Sequence, residues 1–182
     1  MKESILKIPY DMVRNDWSIL QQFLELKGNP RYIIVGDVDL NHRNDIFDLG
    51  NLVGVEGNLN LYLSSIKSLG NLEFVEGNLN LARCKKIKTL GTLKRVGRDL
   101  NLEYSKIESL GELQFVGYVL GLYKCKNIKT LGKLKRVDGY LYLHASSIES
   151  LGELEYVGKR LYLNKIIPTY EIDKINIGGK VY

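Results

Sequence analysis

Cysteine is scarce in this sequence, and its scarcity excludes the disulfide-stapled folds of small secreted proteins. The 182-residue chain has two cysteines, Cys84 and Cys125, and two histidines, His42 and His144. With so few of either, the sequence indicates no metal-ligand cluster and no catalytic thiol beside a base. We therefore expect no metal and a reducing, cytoplasmic location.

Long apolar runs are also absent. No stretch approaches the roughly 18 apolar residues of a membrane helix. The N-terminal M-K-E-S-I-L-K-I-P-Y has no apolar run of signal-peptide length. The chain lacks a nucleophile elbow and a glycine-rich phosphate loop before a helix, and the carboxylates of Asp37, Asp39, Asp45 and Asp48 are expected to be solvated. These features predict a protein that is not an enzyme, has no cofactor and does not enter a membrane.

What the sequence does contain is repetition. From Arg31 onward, Leu-Gly pairs recur in steps that alternate between 20 and 21 residues, beginning at Leu49, Leu69, Leu90, Leu110, Leu131 and Leu151. An L-x-L triplet (V-x-L in the first copy) keeps the same step and begins at Val38, Leu59, Leu79, Leu100, Leu120, Leu141 and Leu161. Alternation with period two predicts a strand with one buried face. Seven such strands predict a mainly β repeat solenoid of about seven coils.

The coil consensus, L-x-L-x-x-[SC]-x-I followed by x-[ST]-L-G-x-L-x-x-V, resembles the leucine-rich repeat. The position of the usual Asn or Cys holds Ser64, Cys84, Ser105, Cys125 and Ser146. Over residues 33–167, the coil consensus also resembles the L domains of growth-factor receptors and bacterial repeat proteins like them. The resemblance implies a right-handed superhelix that binds other molecules. Asn is absent from this column and the receptor cysteines are missing, so the hormone-binding role is not implied.

Changes in composition, together with proline and glycine residues that interrupt the repeat, divide the chain into three segments of one structural domain. Residues 1–30 are predicted to be an N-terminal cap, 31–167 the solenoid, and 168–182 a C-terminal cap with a final strand or hairpin. The glycine of each Leu-Gly pair suits a tight corner, and too few residues remain for a long helix. We expect turns or 3₁₀ pieces on the convex side.

The N-terminal cap carries the pattern of one amphipathic helix, from about Asp16 to Lys27. Asn15 or Asp16 is the candidate N-cap, and Gly28 followed by Pro30 is a stop signal. Two interpretations stay open. The helix covers the open end of the solenoid, as terminal units of repeat arrays must, or it docks a partner.

Equivalent positions in successive coils alternate in character, so the repeating unit spans two coils and 41 residues. The column before the Val alternates between aromatic residues and arginine: Phe74, Arg95, Phe115, Arg136 and Tyr156. Another column alternates in charge: Lys88, Glu108, Lys129 and Glu149. Cation–π and ion-pair contacts between coils are expected, with each guanidinium between two rings. The net charge of +5 is therefore attributed to the scaffold, and nucleic acid is an improbable partner.

The strand face is graded along the solenoid. Its first coils expose Asn and Asp, and its last three carry a Tyr-rich cluster with a gap at Gly121: Tyr123, Tyr140, Tyr142, His144, Arg160 and Tyr162. Tyr and Arg are favoured at interface hot spots, and aromatic residues also suit strand packing, so both interpretations stay open.

These observations predict a non-catalytic protein-binding module that uses the strand (concave) face, and that acts as a small inhibitor or sequestering binder. The alternatives are a structural or assembly component of a virion or homo-oligomer, and a carbohydrate or peptide receptor. The Lys-, Asn- and Ile-rich composition favours a bacterial or phage source.

Overall fold

The L-x-L triplets form one parallel sheet. The computed structural model describes residues 5–163 and 167–182, and in it each triplet pairs with the triplet of the next coil, leucine beside leucine. The seven strands are β3 (Val38–Asp39), β5 (Leu59–Asn60), β7 (Leu79–Asn80), β9 (Leu100–Asn101), β11 (Val119–Gly121), β13 (Tyr140–Tyr142) and β15 (Leu161–Tyr162). This confirms the predicted solenoid of about seven coils.

A second parallel sheet, of nine strands, lies on the opposite side. Its strands are β1 (Leu6–Pro9), β2 (Tyr32–Val35), β4 (Leu52–Glu56), β6 (Phe74–Val75), β8 (Arg95–Val96), β10 (Phe115–Val116), β12 (Arg136–Val137), β14 (Tyr156–Val157) and β16 (Asn176–Ile177). The expectation of turns or 3₁₀ pieces on this side was incomplete. Turns occur at the Leu-Gly corners, and the residues before and at the Val are extended and pair between coils.

The core lies between the two sheets. Each coil buries the same set of apolar side chains, for example Ile107, Leu110, Leu113, Val116, Leu120 and Leu122. Burying one such side chain contributes about 1.5–3 kcal/mol. Because equivalent residues stack in register, the core is one continuous column from Ile8 to Ile175.

Helix α1 (Trp17–Leu26) begins and ends close to the predicted residues. The Asp16 carboxylate accepts hydrogen bonds from the backbone amides of Ser18 (2.7 Å) and Ile19 (3.1 Å), so it caps the helix. The buried side of the helix, which includes Trp17 and Leu20, joins the core of the solenoid. This packing covers the apolar end of the first coil.

Other parts of the two ends were not predicted. Strand β1 pairs with β2 and is followed by a 3₁₀ helix, Tyr10–Val13, so the first segment extends the nine-stranded sheet. At the C-terminus, a short helix α2 (Thr169–Ile172) precedes β16, and Val181 bridges Leu161 in parallel. The last residues therefore form a partial further coil and not a hairpin.

The coils stack in two alternating ways. At each 20-residue step the corner glycine carbonyl of one coil accepts a backbone hydrogen bond from the next, as Gly91 O does from Glu112 N (3.0 Å). Additional parallel bridges join the same pairs of coils: Asp48 with Ser68, Thr89 with Ser109, and Thr130 with Ser150. The two-coil unit predicted from the sequence is thus present in the backbone.

Candidate recognition surface on the seven-stranded sheet

The outer face of the seven-stranded sheet begins with a ladder of Asn and Asp side chains. Asp37 Oδ1 accepts from the backbone (2.7 Å) and side-chain (3.0 Å) amides of Asn58, and Asn58 Oδ1 accepts likewise from Asn78 (2.8 and 2.9 Å). Asn78 Oδ1 accepts from the backbone amide of Asp99 (3.0 Å). The bonds from Asn58 lower the pKa of Asp37. These polar groups satisfy one another along the solenoid, which is a structural role.

Further along the same face, tyrosine rings are stacked between coils. The rings of Tyr142 and Tyr162 are 4.7 Å apart between centroids and inclined by 15°, and those of Tyr162 and Tyr182 are 5.0 Å apart and inclined by 13°. Burial, followed by the neighbouring Tyr162, raises the pKa of Tyr142. Tyr162 therefore has a ring on both sides. Tyr142 has one on the side of Tyr162 and is open on the side of Gly121.

The structure brings all six predicted site residues onto this surface. The rings of Tyr140 and Tyr142 are 6.1 Å apart, and those of Tyr123 and His144 are 4.7 Å apart. His144 and Arg160 are exposed, and the four tyrosines are half-buried. A hydrogen bond with Tyr162 raises the pKa of Arg160. We call Tyr123, Tyr140, Tyr142, His144, Arg160, Tyr162 and Tyr182 the aromatic surface.

Sequence reasoning missed Tyr182 and the lysines at the rim. Tyr182 follows Tyr162 by one 20-residue step, so the repeat itself could have identified it. Lys159 Nζ lies 4.7 Å from the Tyr118 ring centroid, and Lys124 Nζ lies 5.2 Å from that of Tyr123. A hydrogen bond with Tyr123 raises the pKa of Lys124. The aromatic surface is therefore edged by cations.

Beside the aromatic surface is an open cleft of about 290 Å³. It occupies the gap that the sequence places at Gly121, where the strand face has no side chain. Its lining combines the Tyr142 ring, apolar positions of β9 and β11, and polar side chains of three coils: Asn78, Asn80, Asp99, Asn101 and Glu103.

On the other side of the molecule, the conspicuous charges are matched between coils. Ion pairs join Lys88 with Glu108 and Lys129 with Glu149, and Lys133 Nζ lies 2.8 Å from both Glu112 oxygens. The basic segments therefore contribute less free positive charge than their sequence suggests.

The arginine and aromatic column is paired less completely than predicted. Arg95 lies over Phe74 at 5.0 Å and Arg136 over Tyr156 at 4.1 Å, measured from Cζ to the ring centroid. In the described part of the chain, no guanidinium lies over Phe115. The prediction that each arginine contacts two rings was wrong, because Arg95 and Arg136 turn to carboxylates of Glu76 and Asp138 as well.

Both cysteines are buried and unpaired. Each thiol donates to a carbonyl of the preceding coil, Cys84 to Leu61 (2.9 Å) and Cys125 to Leu102 (2.9 Å). Burial raises the pKa of both thiols, which opposes nucleophilic reactivity. Among the described residues, no three His, Cys, Asp or Glu side chains lie close enough to hold a metal ion.

Comparison with protein-family models, curated proteins and solved structures gives no match for this chain. Its geometry is that of a repeat protein, a parallel β-solenoid. No helix in residues 5–163 and 167–182 has the length and apolar character needed to cross a membrane.

Proposed function

We propose that this protein is a non-catalytic binder that recognises another protein through the aromatic surface of the seven-stranded sheet. The observation that carries the proposal is the aromatic surface itself. Rings from four successive coils form one contiguous patch, with His144 and Arg160 exposed beside them. The Asn and Asp half of the same face is engaged in its own hydrogen bonds, and the aromatic half supplies the large side chains.

The chemistry of this patch favours a protein partner. Tyr and Arg are enriched among the residues that dominate binding energy, because they combine a large apolar area with polar ends. The stacked rings of Tyr142, Tyr162 and Tyr182 present mainly edges and hydroxyl groups outward. A carbohydrate would instead use open ring faces, and the central ring of this stack, Tyr162, is covered on both sides.

We propose that the chain is a leucine-rich-repeat protein of the bacterial or phage type that acts in the cytoplasm as an inhibitor or sequestering binder. Support comes from the leucine ladder of the triplets and the buried Ser and Cys column. Assembly into a virion or homo-oligomer is the alternative, and light scattering after size exclusion distinguishes it from a monomeric binder.

The test compares variants of the two sheets. The double variant Tyr142→Ala and Tyr162→Ala removes the centre of the aromatic surface, and Tyr156→Ala removes a half-buried ring from the nine-stranded sheet as the matched control. A partner captured from the native cell and then purified should bind the wild type and the control, with about 100-fold or greater loss for the double variant. Equal binding by all three proteins would refute the proposal.

The stacking also changes the expected stability of that double variant. Aromatic pairs contribute about 0.5–1.5 kcal/mol each beyond burial, and the alanines remove the contacts of Tyr162 with both neighbours. The melting temperature of the double variant should therefore fall. It would stay unchanged if the two rings contributed only to binding. Tyr142→Phe and Tyr162→Phe together keep the ring stack, so they separate loss of binding through the hydroxyl groups from loss of packing.

A further inference from the structure

The cleft beside Tyr142 exists because Gly121 occupies a position that does not require glycine. Its φ lies outside the left-handed region, and an added Cβ would lie 3.4 Å from Glu103 Cγ and 3.8 Å from Asn101 Oδ1, which are ordinary contacts. Glycine inside a strand weakens it. The equivalent positions in earlier coils are Asn60, Asn80 and Asn101. The backbone would accept a side chain at Gly121, so what glycine provides is open space.

The walls of this space are polar on one side and aromatic on the other. Asn101 Oδ1 accepts from the backbone amide of Glu103 (3.0 Å), and Asn80 Oδ1 accepts from that of Ala82 (3.1 Å). These bonds fix the two side chains at the rim of the cleft. The opposite wall is the ring of Tyr142, whose other side is covered by Tyr162.

The charged side chains that line the cleft are both acidic. Asp99 and Glu103 both line it, and within the described residues neither carboxylate has an ion-pair partner. Asp99 Oδ1 accepts from the backbone amide of Val119 (3.1 Å). The cleft therefore places two carboxylates beside the open face of the Tyr142 ring, and among the residues described no basic side chain lines it.

We propose that this cleft receives the guanidinium group of an arginine side chain on the protein partner, an inference that rests on the proposed function. A planar guanidinium can stack on the open face of Tyr142 while its N–H groups donate to the carboxylates of Glu103 and Asp99. Lysine fits less well, since its compact ammonium group offers neither the planar stack nor the fork of donors. The cleft thus anchors the partner, and the aromatic surface supplies the surrounding contact area.

The probe for this proposal is N-acetyl-arginine amide, titrated into the ¹⁵N-labelled protein and followed by NMR. We expect saturable shifts of the Asn80 and Asn101 side-chain amides, with a Kd on the order of 1–10 mM. The neutral analogue N-acetyl-citrulline amide, which has similar shape, should bind about tenfold more weakly or not at all. Absence of saturable shifts, or equal binding of citrulline, would overturn the proposal.

Three variants make the test specific. Gly121→Asn restores the residue of the preceding coils, fills the cleft and should abolish the shifts while the protein melts at the same or a higher temperature. Glu103→Gln should weaken binding about tenfold. Glu108→Gln removes the same charge from the other side of the solenoid and should change nothing. If Glu108→Gln weakens binding as much as Glu103→Gln does, the attraction is non-specific and the proposal fails.

Failure of this inference is distinguishable from failure of the proposed function. The arginine probe tests the cleft without any protein partner. A partner that binds Gly121→Asn as well as wild type but is lost with the double alanine variant would refute the cleft and leave the aromatic surface in place.

Discussion

The alternating stacking of the coils predicts that two chemically identical substitutions differ sharply in cost. Gly91 and Gly111 occupy the same corner in successive coils, with φ of +59° and +58°. An added Cβ at Gly91 meets nothing within 4 Å. At Gly111 it would lie 2.8 Å from the Gly91 nitrogen and closer still to the Gly91 carbonyl oxygen. Both alanine variants carry the same cost of a left-handed backbone conformation. Only Gly111→Ala adds a steric clash with the backbone of the neighbouring coil.

The magnitudes follow from these distances. Alanine in the left-handed region costs about 1–2 kcal/mol, offset by about 0.5–1 kcal/mol because it restricts the unfolded chain. Gly91→Ala should therefore destabilise by about 1 kcal/mol. Gly111→Ala must also push two coils apart, which costs about 1–3 kcal/mol for overpacking, and it weakens the bond from Glu112 N to Gly91 O. We expect a total of about 3–5 kcal/mol.

Urea unfolding of both variants measures this difference directly. Linear extrapolation gives the free energy of unfolding, and an unchanged slope shows that the unfolding reaction is the same. Gly132→Ala and Gly152→Ala repeat the comparison two coils away, since Gly132 is open and Gly152 faces the Gly132 backbone. The reasoning fails if Gly91→Ala and Gly111→Ala are equally destabilised within about 0.5 kcal/mol.

Two further predictions concern pH and backbone conformation. Burial raises the pKa of Tyr32 to about 12, so the fold favours its neutral form. The contribution of Tyr32 to stability should be complete below about pH 10 and fall by about 1.4 kcal/mol per pH unit as pH rises toward 12. Tyr32→Phe should reduce this alkaline loss, measured by urea unfolding across that range, and a pH dependence identical to wild type would contradict the assignment. Ala145 is exposed and has φ of +56°, in the left-handed region. Ala145→Gly should therefore stabilise the protein by about 0.5–1 kcal/mol in the same assay. A destabilised variant would show that this turn tolerates alanine without strain.

Much of the fold was predictable from the sequence because its signals are repeated. The L-x-L triplets alternate with period two, and seven copies at one step specify both the strands and their stacking. Helix α1 was predictable because Asp16 and Gly28 mark its ends. The nine-stranded sheet was not, because two-residue strands such as Phe74–Val75 are too short to show any periodicity. Strand β1 lies outside the repeat, where no neighbouring copy indicates its partner.

The candidate surface was also predictable only in part. The positions that face outward follow from strand alternation, so Tyr142, Tyr162 and the gap at Gly121 could be identified in advance. The direction in which long side chains turn could not. Arg95 and Arg136 each reach one ring and one carboxylate, a choice between two attractive partners that depends on side-chain rotamers and not on residue order.

The alternation of coils also sets the unit by which this solenoid can grow or shrink. Removing one coil would place Lys88 beside Lys129, and would bring Cys84 to within one inter-strand spacing of Cys125, about 4.8 Å, where a disulfide can form. Ser105 now stands between the two thiols in the same column. Gain or loss of two coils together keeps lysine beside glutamate in the column of Lys88 and keeps each cysteine beside a serine. A change of 41 residues therefore preserves the contacts between coils, whereas a change of one coil sets like charges and the two thiols against each other.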